Sequence, residues 1–485
     1  MRRILVIPPI FLTEEEIARR KKDLENYAWY GTEVDVAGLQ ESVAVNSRSE
    51  ADVATPEFLD LVINAEKDGY DAVISDCYCD VGVDAASELV KIPVLGPLKT
   101  SAVVANMLGQ RFSIITIGTA RAIMLPRLRD LGLDRNYVST RGIDFKKFFI
   151  SFAADSKRVE ITKNALMEEG KKALADGAHV IILGCTGFPL AKNVKEELKV
   201  PIIDGVITLK VAEALTDLNL GHGMLHTSRE ADSSCEKLSR MRIKLLVPTS
   251  TNIELQNMER LKRTVNKGTE ISSLMFEDGP ASIKSVNDIA KVSPFIIKEA
   301  ASAEKEGFDA VVISSFEDPG LEPAREVCDI PVVGSGEASM LLATLLGKFS
   351  IITYDKGKHH LIERMIRKIG IEKQLLSIRS VNKETKVEKS LEGVNKAITE
   401  GDETIIMDKP DARELIQLIQ PGVKVPVLDS LFIALKMAEV LHSLNLSHSK
   451  LSYPKPVLPA HHKMRLEGLK KSIPKSCGFL YSGEY

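Results

Sequence analysis

No apolar run in this 485-residue chain reaches the roughly 18–20 residues of a membrane span, so no membrane is expected as a partner. Neither sign of charge dominates: 64 Lys and Arg stand against 67 Asp and Glu, a formal net charge of -3. So even a balance gives no electrostatic reason to expect nucleic acid. Cysteine is scarce as well. Six residues (77, 79, 185, 235, 328 and 477) cannot frame so long a chain with disulfides, and reduced thiols in a cytoplasmic protein are expected. The opening MRRILVIPPIF carries two arginines and an apolar run, but Pro8 and Pro9 break the run and acidic residues follow without a cleavage site, so it reads as a first strand. What remains, 44% hydrophobic and 27% charged, is an ordinary globular composition in a chain too long for one core.

Internal repetition organises the rest. MRRILVIPP from Met1 matches MRIKLLVPT from Met241, and LGQRFSIIT from Leu108 matches LGKFSIIT from Leu346. VPIID from Val200 matches VPVLD from Val425, so the offset moves only from 240 to 225. The chain therefore reads as a unit over 1–226, a polar linker over 227–240, a second unit over 241–455, and a basic extension over 456–485. Within the first unit, strands are expected at 4–7, 72–75, 92–96, 112–118, 179–184 and 200–204. Helices are expected at roughly 56–68, 98–109, 120–131 and 157–176. Continuous rather than alternating Val/Ile runs imply strands covered on both faces, hence parallel sheets under helices. The fold expected is α/β: tandem duplicated units, each of two pseudo-symmetric doubly wound parallel-sheet lobes.

Two elements carry the chemistry. DAVISDCYCDVGVDAASELVKIPVLGP (71–97) is a buried strand running into Cys77, then a turn, a helix and another strand. HVIILGCTGFPL (179–190) repeats the plan with Cys185. In open α/β sheets, ligands sit beyond the carboxyl ends of strands, which is where both thiols fall. A thiol just before a helix N-terminus is expected to have a lowered pKa, since the dipole favours thiolate. Two thiols on opposite sides of a cleft suit stereoinversion. One takes a proton from a carbon α to a carbonyl, and the other returns one to the opposite face. The plainer alternatives are that both cysteines are buried core residues, that Cys77 and Cys79 bind metal, or that they form a strained redox pair.

LGCTGFPL closely resembles the second active-site motif of the aspartate/glutamate racemases. DAVISDCYCDVGVDAA resembles the first motif of the hydantoin racemases, matching at Cys77, Asp80, Gly82, Asp84, Ala85 and Ala86, with Cys79 and Val81 in place of Gly and Pro. The resemblance spans nearly all of 1–455. It implies a metal-free, cofactor-independent racemase or epimerase of an amino acid or 5-substituted hydantoin, with Cys77 and Cys185 as the acid/base pair. It also implies that Thr186, Gly187, Thr116 and Asp80 contact a small-molecule substrate. The family's Asn-Pro-Asn-Thr-Ser after the first strand is missing: Ile7-Pro8-Pro9-Ile10-Phe11 stands there. Resembling families run maleate isomerase and arylmalonate decarboxylase chemistry on the same fold. A non-catalytic small-molecule binding protein is the alternative of another class.

The second unit reads differently at both positions. Ser315 replaces Cys77, and Lys409 or Pro410 stands opposite Cys185. Without a thiol at either position this half is expected to be catalytically degenerate, pairing with the first as an intramolecular pseudo-dimer; further homo-oligomerisation is left open.

Overall fold

The computed structural model describes residues 1–40, 45, 47–117, 121–144, 156–186, 191–223, 240–250, 258–381, 394–396, 398, 399, 401, 403–408, 416, 419 and 423–456. Among the described residues, four parallel four-stranded sheets make up the frame, two in each half. In chain order the first half runs β1 (Arg2–Ile7), α1 (Glu14–Glu25), β2 (Thr32–Val36), α2 (Arg48–Lys67), β3 (Ala72–Ser75), α3 (Val83–Leu89), β4 (Val94–Leu95) and α4 (Pro97–Leu108). Its second lobe follows: β5 (Phe112–Ile117), α5 (Arg121–Asp130), β6 (Tyr137–Ile143), α6 (Ser156–Ala175), β7 (Val180–Leu183), α7 (Ala191–Leu198), β8 (Ile202–Ile203) and α8 (Val206–Asp217). Both lobes have one strand order, β2-β1-β3-β4 and β6-β5-β7-β8. The chain winds outward in one direction and then in the other. Each lobe therefore has its topological switch between β1 and β3, or between β5 and β7.

The second half repeats this plan. Its lobes are β9 (Met241–Val247), β10 (Thr269–Met275), β11 (Ala310–Ile313) and β12 (Val332–Gly334), then β13 (Phe349–Thr353), β14 (Leu375–Ser380), β15 (Thr404–Asp408) and β16 (Val427–Asp429). The orders are β10-β9-β11-β12 and β14-β13-β15-β16. Among its helices are α9 (Met258–Thr264), α10 (Val286–Lys305), α11 (Leu321–Val327), α12 (Ser335–Leu346), α13 (His359–Ile369) and α14 (Ser430–Ser443).

The expected strands are present, with two additions. β2 and β6 lie at sheet edges, and their half-buried residues give no continuous apolar run to read. One helix starts earlier than expected. The helix expected at roughly 56–68 is α2, which begins at Arg48, capped by Ser47 accepting from the Glu50 N–H, and encloses Pro56.

Helices α4 and α12 are buried almost all round, as PLKTSAVVANML and SGEASMLLATLL require. They pack on each other, and α8 packs on α14, so one hydrophobic core runs from Ile4 and Val6 through Leu98, Leu215 and Leu342 to Leu441. Histidines fasten this seam symmetrically. Nε2 of His222 accepts the Val94 N–H at 3.0 Å, and Nε2 of His448 accepts the Val332 N–H at 2.9 Å. Each ring then reaches a helix-end carbonyl of the other half: His448 meets Met107 O at 3.1 Å, and His222 meets Leu346 O.

Candidate active site

β3 ends at Ser75, and the chain turns tightly within five residues. The Cys77 N–H donates to Ser75 O at 2.7 Å, the Asp80 N–H to Cys77 O at 2.9 Å, and the Ser75 hydroxyl to Val81 O at 3.0 Å. Asp80 and Gly82 close the turn with φ of 49° and 68°. Glycine is required at 82, because a Cβ there would lie 2.5 Å from the buried Phe58 ring. Cys77 is thereby held beyond the carboxyl end of β3, beside the β1/β3 switch.

Asp80, expected to contact substrate, caps a helix. Its two carboxylate oxygens accept the Leu98 and Lys99 N–H groups, both at 2.9 Å, at the start of α4. Burial pushes its pKa up to about 6. A Cβ at Gly96 would meet it at 2.2 Å, so glycine is what lets the carboxylate reach the helix. Asp318 does the same for Gly336 and Glu337 at the start of α12, with φ of 46°. The same use in both halves gives this carboxylate a role in the fold.

Cys185 follows β7 at the equivalent place in the facing lobe. Thr116, on β5, donates its hydroxyl to Gly184 O at 2.7 Å and so fixes the backbone just before the thiol. Gly184 has no room for a side chain, since a Cβ would lie 2.6 Å from Ile114 Cγ2. Thr186 reaches the first lobe and donates to Asp76 O at 3.1 Å. That bond joins the residue after one thiol to the residue before the other. With Cα steps of about 3.8 Å, it holds the Cα atoms of Cys77 and Cys185 within about 15 Å. Gly187 lies outside the described residues, as do Lys409, Pro410, Cys235, Cys477, the linker up to 239 and the extension from 457.

Arg20 and Tyr78 were not read from the sequence; Asp204 was, as a residue after the last matched strand in both halves. Arg20 on α1 grips the Asp76 carboxylate through Nε and a terminal nitrogen, both at 2.9 Å. Tyr78, 2% exposed, shares a 3.1 Å hydrogen bond with Ser101, and burial pushes its hydroxyl well up, with Asp204, Cys185 and Asp80 acting the same way. Asp204, after β8, accepts the Val206 N–H at 3.1 Å and is pushed up to about 6 by burial. Only α1 offers a local signal, the capping box of Thr13 and Glu16 that starts it. Cys77 itself does not have the lowered pKa expected. The Cys79 thiol hydrogen-bonded to it, and then burial, push it well above the ordinary thiol range.

At the matching place in the second half, Ser315 donates to Glu317 at 2.7 Å. Lys358 lies 2.6 Å from Glu317 and 3.3 Å from Asp408, which also accepts the Thr353 hydroxyl at 3.0 Å. A buried cation thus sits between two carboxylates, one of them bonded to Ser315, the counterpart of Cys77. Lys358 is pushed up despite its burial, because Asp408 and Glu317 surround it.

The profile of the Asp/Glu/Hydantoin racemase family matches residues 34–211 and again 243–438. A hydantoin racemase of Pseudomonas sp. (strain NS671) is 32% identical over 223 residues, covering 44% of this chain and 90% of that protein. A second, from Rhizobium meliloti, is 32% identical over 241 residues, covering 46% of this chain and 99% of that protein. The solved structure of an allantoin racemase from Klebsiella pneumoniae is 25% identical, with a TM-score of 0.42, and covers 45% of this chain and 96% of that one. With its two profile matches and two copies of one two-sheet plan, the chain belongs to the Asp/Glu/Hydantoin racemase family as a tandem duplication.

Proposed function

We propose that the first half is a racemase that inverts a stereocentre α to a carbonyl, in an amino acid or a 5-substituted hydantoin, with Cys77 and Cys185 as its two bases. The observation that supports this reading is the Thr186 to Asp76 hydrogen bond, which joins the loop carrying Cys185 to the loop carrying Cys77. One thiolate removes the α-proton, and the opposite thiol delivers a proton to the other face as the carbanion collapses. Thiol and thiolate are both accessible forms of a cysteine, so the exchange calls on the two side chains alone. A raised Cys77 suits the proton-donating member of the resting pair. Between turnovers the roles swap, and the enzyme serves both enantiomers.

On this reading residues 1–226 form the working unit and 241–455 its pseudo-symmetric scaffold. The second half has Ser315 and a Glu317–Lys358–Asp408 cluster where a proton-transfer pair would be needed. A serine hydroxyl held by a carboxylate and an ammonium held by two carboxylates are poor bases for an α-proton. Polarimetry on a panel of 5-substituted hydantoins and free amino acids tests the proposal. Loss of optical rotation by the parent protein, and its persistence with Cys77→Ala and with Cys185→Ala, is the result expected. Undiminished racemisation by both variants would refute it.

A further inference from the structure

Asp76, the residue before Cys77, is held from three sides. Its N–H donates to Ile7 O at the end of β1, at 2.9 Å, and its carbonyl accepts the Thr186 hydroxyl of the second lobe at 3.1 Å. Its carboxylate takes Nε and a terminal nitrogen of Arg20, both at 2.9 Å, and the residue is 7% exposed. Such a two-point pair fixes direction as well as distance. Of α1, which carries Arg20, only Leu24 is buried, so the ion pair rather than core packing aims this side chain. Arg20 also acts on the carboxyl of Asp204, after β8, and so stands between strand ends of both lobes. The second half lacks the pair. Ser314 stands where Asp76 does and keeps the bond to the first strand, Leu246 O at 2.8 Å, but has no charge for a guanidinium to hold.

We propose that Arg20 is a positioning residue for the thiol pair, acting through Asp76: by holding the carboxylate it fixes the peptide that carries Cys77 and that the second lobe grips through Thr186. This rests on the reading of Cys77 and Cys185 as the acid/base pair. Proton transfer at two sulfurs depends on their spacing, and a misplacement of about 1 Å can cost about a hundredfold in rate. The Thr186 bond can set that spacing only if its acceptor stays in place. β1 holds the acceptor residue by its backbone, and Arg20 holds it by its side chain. Because Asp76 matches the charge of Arg20, loss of the guanidinium is felt in turnover rather than in substrate binding.

The test uses the full chain with Arg20→Gln, Thr186→Val and the two together. Turnover is followed on whichever hydantoin or amino acid the parent protein racemises, and thermal denaturation is followed without substrate. Arg20→Gln should lower kcat by about tenfold or more and leave KM within about threefold. Since both side chains act through Asp76, the double variant should cost little beyond the worse single one, in kcat and in melting temperature alike. Losses that simply multiply overturn the proposal, as does an unchanged kcat. A raised KM at unchanged kcat also overturns it, by making Arg20 a holder of substrate. Where Arg20→Gln does not fold, Asp76→Asn weakens the same pair and keeps the carbonyl. It should lower kcat in the same sense, and an unchanged kcat there is equally fatal. Coupled melting temperatures in a protein that racemises nothing uphold the Arg20–Asp76–Thr186 tie and defeat the functional reading, so the two failures are distinguishable.

Discussion

Thr186→Val removes a single hydroxyl and keeps nearly the same shape. The Cγ2 methyl that packs against Gly205, where even a Cβ would come within 2.9 Å, is retained. What is lost is the 3.1 Å bond to Asp76 O, which ties the second lobe to the first beside both thiols. A hydrogen bond of this kind contributes about 1 kcal/mol net, and the carbonyl left behind adds a desolvation cost of about 1–3 kcal/mol when fully buried. This one is part-buried, so about 1–2 kcal/mol is expected, a factor of roughly five to thirty in an equilibrium or a rate. Thermal denaturation and racemisation should both report it. If Thr186 served substrate alone, stability would be untouched. Thr186→Ser, which keeps the hydroxyl, should retain most of the rate. Stability and rate of Thr186→Val both within twofold of the parent would refute the tether.

Three other outcomes follow from the seam and the second half. Lys358→Met leaves Glu317 and Asp408 buried without their cation and should destabilise by about 3–5 kcal/mol in thermal denaturation, with most of the loss recovered when Glu317→Gln and Asp408→Asn are added. Burial pushes His222 down to about 4 and His448 well below the ordinary imidazole range. The unfolded chain takes up those protons near pH 6.5, so the stability they contribute is whole above that pH and is lost as pH falls toward 4, about 3 kcal/mol for His222 alone. Imidazole NMR should show neither ring titrating between about pH 8 and 5; a midpoint near 6.5 for either would contradict the bonded arrangement. A truncated chain of residues 1–226 exposes the apolar faces of α4 and α8 and should aggregate or self-associate in sedimentation experiments, whereas a monodisperse, fully active fragment would contradict the shared core.

The repeat, the buried strands and the placing of Cys77 and Cys185 at strand ends were legible because each is written in a contiguous stretch. Val/Ile runs mark β3 and β7, and the two motifs follow directly. Edge strands β2 and β6 were not legible, since TEVDV and YVSTRGI bury only isolated residues. Contacts between distant segments were not legible at all. Arg20 and Asp76 are 56 positions apart, and Thr186 and Asp76 are 110 apart. The capping role of Asp80 was not legible for a related reason: its motif is local, but its partners lie across the β4–α4 turn. The change from Lys99 in the first half to Glu337 in the second makes sense only with the buried Arg325 that Glu337 holds, at a position where the first half has Ser87. Charge at one site follows charge at another, and that coupling leaves no trace in either segment alone.

The central claim is that two thiols act on opposite faces of one carbon. Racemisation of a single enantiomer in deuterium oxide, followed at early conversion, tests it most directly. With two bases, the product enantiomer should carry solvent deuterium while the unreacted substrate keeps its protium, because the proton removed by one sulfur is not the one returned by the other. Cys77→Ala and Cys185→Ala should each abolish product formation. Deuterium entering substrate and product at equal rates, or product still forming in both variants, would contradict the account.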